Sequence, residues 1–485
     1  MRLFKKRGGF VKSICEEIKI NSEKYPSKTA VVYNDVAISY GDFYKKALCF
    51  AGNLKKCNLK KGNRVVLESN NLICYFAAFL GCQLAGCTVV PIEENISIYK
   101  LQDILKATKP TLIFMKNNGE AYEKFFEPCE NTSFRAPKDE NIASIIATTG
   151  TTGDSVLVVH NNKSEAATVE NLIWGIDLNE DDVVFSHLPC YLAVGIRRFF
   201  AGLAVGATVV LNDGELEENE IVRSINEYGV NHICLGNSNL KVLLDSSNYL
   251  LKEAMEKVES VESLSGPLTG VNIRDFHRNY PHTTLYNVYG TTESGCLLIN
   301  NTKDNPLEGC LGKPACNSQV FLVDENGEKV EKFGVYGHIA VKGNTNMTGY
   351  YRKKILTERV MPDDYIVIND IAYFDSDGYF YFVGRVGDII DVRGNKIIPA
   401  EIEKIAKAFS GIKDCALVSS EGHREIPVPV LFVSVEKGFD LKHFEDYLKK
   451  NLEMYKIPEK IIQIEKIPRT PTGKILRKAL EMNKI

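Results

Sequence analysis

From about residue 25 onward, short β-branched runs alternate with stretches whose apolar residues recur at helical spacing, and this alternation restricts the possible folds most. The runs include TAVVY (29–33), RVVLE (64–68), TLIFM (111–115), TVVLN (208–212) and HICLG (232–236), with helix-like segments at 40–57 and 217–228 among them. Strands separated by helices pair in parallel and are covered by those helices, so the expected class is α/β with largely parallel strands. A chain of 485 residues exceeds what one hydrophobic core supports, so two or more domains are expected.

The texture changes after about residue 308. QVFLVDENGEKV reads as two strands around a turn at Asn326 and Gly327, and GHIAVKG and GYFYFVGR add further strands bounded by glycine. These predict a smaller β-rich subdomain. Beyond a connection around Gly387 and Asp388, a helix over 400–409, the strands CALVSS and PVLFVSVE, and a helix over 441–452 form a small α+β unit. The expected division is therefore a large N-terminal domain over 1–387, of layered α/β subdomains plus the β-rich one, and a small C-terminal domain over 388–485.

The charge balance, 59 Lys+Arg against 62 Asp+Glu, gives no reason to expect nucleic acid or an anionic membrane as a partner. The uncharged stretch 72–92 is long enough to span a bilayer. It contains Gly81, Gln83, Gly86 and Pro91 and ends in β-branched residues, which fits a buried helix, a turn near Gly86 and a core strand instead. The basic N-terminus, MRLFKKRGGF, is followed by Glu16, Glu17 and Lys19 rather than an apolar run, so no secretory signal is expected. Thirteen cysteines without a C-x-x-C pair argue against a disulfide framework or zinc site, and for buried thiols in a reducing, cytoplasmic compartment.

Four short segments carry candidate chemistry. Residues 147–153, ATTGTTG, follow the apolar run IASIIA; their glycines and hydroxyls can cradle a phosphate, although such a loop also serves as a plain turn. No Gly-Lys-Ser/Thr follows, so this is not the NTPase phosphate loop. Residues 287–293, NVYGTTE, offer a ring to stack on a base, hydroxyls for a phosphate and a carboxylate for Mg²⁺, or merely a strand end and helix cap. Asp370 and Arg385 bracket DSDG (375–378), giving a carboxylate for vicinal ribose hydroxyls and an arginine for charge-assisted bonds, or a hairpin with ordinary charges. Residues 468–474, PRTPTGK, present Lys474 on a Pro/Gly-shaped loop, as a reaching cation or as a solvated basic tail.

Taken in order, these four segments resemble those of the adenylate-forming, AMP-binding superfamily: acyl- and aryl-CoA synthetases, peptide-synthetase adenylation domains and beetle luciferases. The resemblance runs from about Glu23 to Ala479. It implies a cytoplasmic ligase that uses ATP and Mg²⁺ to turn a small-molecule carboxylic acid into an acyl-AMP with release of pyrophosphate, then transfers the acyl group to a thiol. CoA is the expected acceptor, and the phosphopantetheine of a carrier protein is the alternative. The resemblance further implies that Thr149, Gly150, Thr151, Thr152 and Gly153 contact the ATP phosphates. Tyr289 flanks the adenine, Asn287 bonds its edge, and Gly290 and Thr291 belong to the same nucleotide-binding element. Thr292 touches the α-phosphate, Glu293 helps hold Mg²⁺, and Asp370 with Arg385 holds the ribose. Lys474 bridges the carboxylate and the α-phosphate, and Asp388 is the hinge of a mobile C-terminal domain.

Three departures from the family pattern stand out. The family loop continues with Pro-Lys-Gly, whereas Gly153 is followed by Asp154, and the stretch to His160 is two residues short. That places negative charge where a cation is usual and leaves a catalytically degenerate nucleotide-binding protein as an alternative of another class. Leu192 stands where many CoA ligases carry histidine. Ala193 stands where amino-acid-activating relatives place an aspartate, which points away from amino-acid substrates. The nearby Arg197 and Arg198 could meet an acidic substrate, but read more simply as surface or helix-end charges.

Overall fold

A computed structural model of the protein describes residues 11, 13–116, 119–129, 133–149, 155–264, 266, 268–392, 395–421, 427–470 and 474–481. The chain divides into two compact units, one of Met1–Val320 with Ala340–Val367 and one of Phe321–Ile339 with Ile368–Ile485.

The first unit holds two sheets with helices on their faces. In one, the strands run in the order Cys310–Pro314, Gly295–Asn301, Thr284–Thr291, Ser260–Leu264, His232–Gly236, Val183–His187, Thr208–Leu211, Thr29–Tyr33 and Val36–Ser39. The pairs from Thr284–Thr291 through Thr29–Tyr33 are parallel, and the flanking pairs are antiparallel. In the other, the order is Gly349–Tyr350, Ser155–Asn161, Ile142–Thr149, Thr88–Ile92, Arg64–Glu68 and Leu112–Phe114. Successive side chains of a strand point to opposite faces, and this splits the core. Val31, Val65, Val89, Val184 and Val209 join a central core with the helices Tyr40–Lys56, Leu72–Leu84, Asn162–Gly175 and Ala193–Val205. Their neighbours Val32, Phe185 and Val210 face a second core, and Val66 and Val90 a third. Strands buried on both faces read as continuous apolar runs, which is why these segments were legible.

The stretch 72–92 is the buried helix Leu72–Leu84, a turn with Gly86 at φ +76°, and the strand Thr88–Ile92. No helix among the described residues is long and apolar enough to cross a membrane.

Arg198 corrects the expectation of a surface charge. It is fully buried on the helix Ala193–Val205 and ion-paired with the equally buried Glu262 of the strand Ser260–Leu264. Cys234 Sγ donates to the same carboxylate at 2.9 Å. Arg198 Nε and Nη1 are buried without a hydrogen-bond partner among the described residues. Adjacent arginines in an apolar helix look like a helix end in sequence, and the strand packed on that helix supplies the counter-charge of Arg198.

The second unit contains the antiparallel pair Ile366–Phe374 and Phe380–Arg385, whose residues from 368 onward lie in it, and a three-stranded sheet of Ile412–Glu421, Pro427–Val435 and Lys460–Gln463. The helices Pro399–Lys407 and Leu441–Asn451 share a core with that sheet through Ile402, Ala406, Phe444, Leu448, Leu417 and Leu431. Of the strand pair expected around Asn326 and Gly327, the first is present and the second is reduced to a single bridge, Val323 to Lys329. Asp324 explains the loss: its Oδ1 accepts from the Asn326 and Glu328 amides at 2.8 and 2.9 Å, drawing the backbone into a turn.

Candidate nucleotide and carboxylate site

In the first unit, the strand Thr284–Thr291 carries Asn287, Tyr289, Gly290 and Thr291, and a tight turn through Thr292 and Glu293 returns the chain as Gly295–Asn301. The turn requires glycine at 290, because a Cβ there would meet the Gly295 carbonyl oxygen at 2.0 Å. Gly295 itself sits at φ +74°. Thr291 Oγ1 and Ser294 Oγ lie 2.8 Å apart, and the Ser294 amide donates to Thr291 Oγ1 at 3.2 Å, so this hydroxyl closes the turn. Asn287 is buried and its Nδ2 donates to the Cys310 carbonyl at 2.8 Å. Tyr289, Thr292 and Glu293 are half-buried. Glu293 Oε1 accepts from the Tyr350 hydroxyl at 3.1 Å. Burial and the neighbouring Glu293 charge raise the Tyr350 phenol far above its ordinary range, so it stays a donor.

Beneath this turn lies a buried polar network that sequence reasoning missed. His160, at the end of the strand Ser155–Asn161, places Nε2 2.7 Å from the Thr292 carbonyl oxygen and Nδ1 3.0 Å from Ser164 Oγ. Arg197 donates from Nε to Glu165 Oε2 at 2.9 Å and from Nη2 to the Thr292 carbonyl at 3.3 Å. Ser144 Oγ donates to the other Glu165 oxygen at 3.0 Å. His160, Glu165 and Arg197 are 0%, 4% and 4% exposed, so the reading of Arg197 as a surface charge is also corrected. Burial and the Arg197 charge push the His160 imidazole down to about 4, and the ring is neutral at pH 7. Burial alone would raise the Glu165 carboxyl, but Arg197 and His160 hold it below its usual value, ionised. The only hint in sequence was His160 closing a β-branched run just after the Gly/Thr loop.

Thr149 ends the strand Ile142–Thr149. Gly150, Thr151, Thr152 and Gly153 lie outside the described residues, as does Asp154.

In the second unit, Asp370 and Arg385 are directly opposite in the register of their hairpin. Arg385 Nε donates to Asp370 Oδ1 at 2.6 Å and Nη2 to Oδ2 at 3.4 Å. Their fifteen-residue separation is thus a cross-strand pair. Gly378 turns the hairpin at φ +80°, and Asp375 Oδ1 accepts from the Asp377 and Tyr379 amides at 3.0 and 2.9 Å. Lys474 is exposed, and its carbonyl accepts from the Thr470 amide at 2.8 Å; residues 471–473 lie outside the described residues. Asp388 Oδ2 lies 3.0 Å from Arg477 Nε, and Arg477 Nη1 also donates to Glu403 Oε1 at 2.6 Å.

A further cluster, Asp182, His232 and Glu259, has the donor types of a metal site. Asp182 already accepts from the Asn179 amide at 2.7 Å, from Asn231 Nδ2 at 2.9 Å and faces His232 Nε2 at 3.2 Å. It is a buried hydrogen-bond network that ties two loops together.

The donor set at the turn suits a hard cation and a nucleotide: a carboxylate oxygen for Mg²⁺, a ring for a base and threonine hydroxyls for phosphate. Residues 18–351 match the AMP-binding enzyme family, and residues 401–474 match the AMP-binding enzyme C-terminal domain. The chain is 26% identical over 467 residues to a 2-succinylbenzoate–CoA ligase of Staphylococcus epidermidis, covering 94% of this chain and 95% of that one. ATP-bound MatB from Rhodopseudomonas palustris superposes with a TM-score of 0.89 at 20% identity, over 97% of this chain and 98% of that one. O-succinylbenzoate coenzyme A synthetase from Bacillus subtilis, in complex with ATP and a magnesium ion, gives a TM-score of 0.85 at 21% identity, over 96% and 98%.

Proposed function

Because this chain belongs to the AMP-binding enzyme family and is an AMP-forming ligase, we propose that it activates a small carboxylic acid with ATP and passes the acyl group to CoA. In the first step a carboxylate oxygen attacks the α-phosphorus, the bond to pyrophosphate breaks, and acyl-AMP and pyrophosphate result. In the second, the thiol sulfur attacks the acyl carbon, AMP leaves with the bonding pair, and the thiol proton passes to solvent. Both reactants of the first step are anions, so positioning and charge neutralisation supply most of the rate.

The Thr292–Glu293 turn carries this reading, since its half-buried carboxylate accepts from Tyr350 and its Thr292 carbonyl is held from beneath by His160 and Arg197. On this reading Thr292 bonds the α-phosphate, Glu293 holds Mg²⁺, Tyr289 flanks the adenine and Asn287 bonds its edge. A bound Mg²⁺ supplies charge neutralisation at the phosphates. Thr149 with residues 150–153 contacts the phosphates. Asp370, oriented by Arg385, accepts from the ribose hydroxyls, and Lys474 bridges the carboxylate and the α-phosphate. The domain boundary is placed at Asp388, with 388–485 moving as the C-terminal domain between the two steps.

The test is pyrophosphate release with Mg·ATP across an acid panel that includes 2-succinylbenzoate, aromatic acids and short aliphatic acids. CoA or a phosphopantetheinylated carrier protein is then offered to the acyl-AMP. Thioester on CoA is the expected product. Acylation of the carrier alone would move the acceptor to a carrier protein, and no pyrophosphate release with any acid would remove the ligase reading.

A further inference from the structure

We propose that Arg197 is a positioning residue of this reaction, fixing the Thr292–Glu293 turn from beneath through the Thr292 carbonyl, with Glu165 fixing the guanidinium in turn. The proposal rests on the functional reading above only for the roles of Thr292 and Glu293.

The guanidinium distributes its donors over separate acceptors: Nε to Glu165 at 2.9 Å, Nη1 to the Thr291 carbonyl at 3.5 Å and Nη2 to the Thr292 carbonyl at 3.3 Å. His160 approaches the same Thr292 carbonyl at 2.7 Å. Two successive carbonyls of the turn are therefore drawn to one buried group. The peptide unit is planar and trans, so a Thr292 carbonyl pulled toward Arg197 turns the Glu293 N–H to the opposite side. Release of the carbonyl would let that peptide rotate, carrying the Thr292 hydroxyl and the Glu293 carboxylate with it.

The cost of the arrangement supports a role beyond packing. A buried ion pair is commonly no more stabilising than apolar residues of similar volume. Apart from the neighbouring Arg198, the helix that carries Arg197 is apolar, with Ile196, Phe199 and Phe200 in the core. Apolar residues would pack there, but they could not donate to a carbonyl. Lysine could keep the charge opposite Glu165, but its single ammonium lacks the fork that spans carboxylate and carbonyl together.

Two variants separate positioning from folding. Arg197→Met with Glu165→Met removes the pair as a unit and keeps the volume, and Arg197→Lys keeps the charge. Each is checked for wild-type secondary structure and thermal unfolding, then measured for kcat and KM in pyrophosphate release and for Mg·ATP affinity by calorimetry. Loss of an orienting group behind a ligand typically costs about 10–100-fold in affinity or activity. The expected result is a loss of that size in kcat and a weaker Mg·ATP affinity in both folded variants, with KM for the acid unchanged. Folded variants with wild-type kcat and Mg·ATP affinity would overturn the proposal. If the wild type turns over no acid, the functional reading fails, and the Mg·ATP affinities still decide this one. Absence of Mg·ATP binding by the wild type would overturn both.

Discussion

Acidification tests the buried network under the turn through one residue, His160. The ring is fully buried, and Arg197 Nη2 lies 2.9 Å from its Nε2, so protonation in the folded state would set two cations side by side. Its folded value is about 4, against an ordinary value of 6.5. Between those limits the unfolded chain binds a proton that the folded chain refuses, so stability falls as pH falls. The stabilisation is complete above pH 6.5, is lost progressively toward pH 4 and changes no further once both states are protonated. At about 1.4 kcal/mol per pH unit, the loss between pH 7 and pH 4 comes to about 3 kcal/mol. His160→Gln keeps an amide near the Thr292 carbonyl and does not titrate, so its acid-induced loss should be smaller by that amount. Urea unfolding at the two pH values measures this, followed by fluorescence of Trp174. That residue is the chain's one tryptophan, in the helix Asn162–Gly175 beside His160. Equal losses in wild type and variant would refute the reasoning.

Lys474→Ala should lower the rate of pyrophosphate release by about 10²–10³-fold while leaving Mg·ATP affinity nearly unchanged, because the charge acts on the developing transition state; rapid-quench kinetics and calorimetry check this. Arg198→Met strands a buried Glu262 carboxylate and should destabilise the first unit by about 3–5 kcal/mol. Adding Glu262→Leu should recover most of that loss in the same urea unfolding experiment. Gly290→Ala drives a methyl into the Gly295 carbonyl at 2.0 Å. It should shift the turn, with about 1–3 kcal/mol lost in stability and a loss of Mg·ATP binding by calorimetry.

The α/β class, the buried helix and strand over 72–92 and most strand positions were legible because strands buried on both faces leave unbroken β-branched runs and amphipathic helices leave a period. Asp370 and Arg385 could be singled out for the same kind of reason, since a hairpin turning at Gly378 makes their spacing a local fact. The Val323–Lys329 pairing was over-read because side-chain acceptance by Asp324 competes with a ladder and leaves no mark in the alternation.

By itself the chain determined its layers and its Tyr-Gly-Thr-Thr-Glu turn, which depend on neighbours within a few residues, and its family, which depends on the order of short segments along the chain. Only the tertiary structure decided that Arg197 and Arg198 are interior charges, because their partners Glu165 and Glu262 lie 32 and 64 residues away. It likewise decided that His160 is neutral, because its field comes from Arg197 and its desolvation from the surrounding core. The sign of a charge can be read from its residue type, but its energy depends on what the fold places beside it.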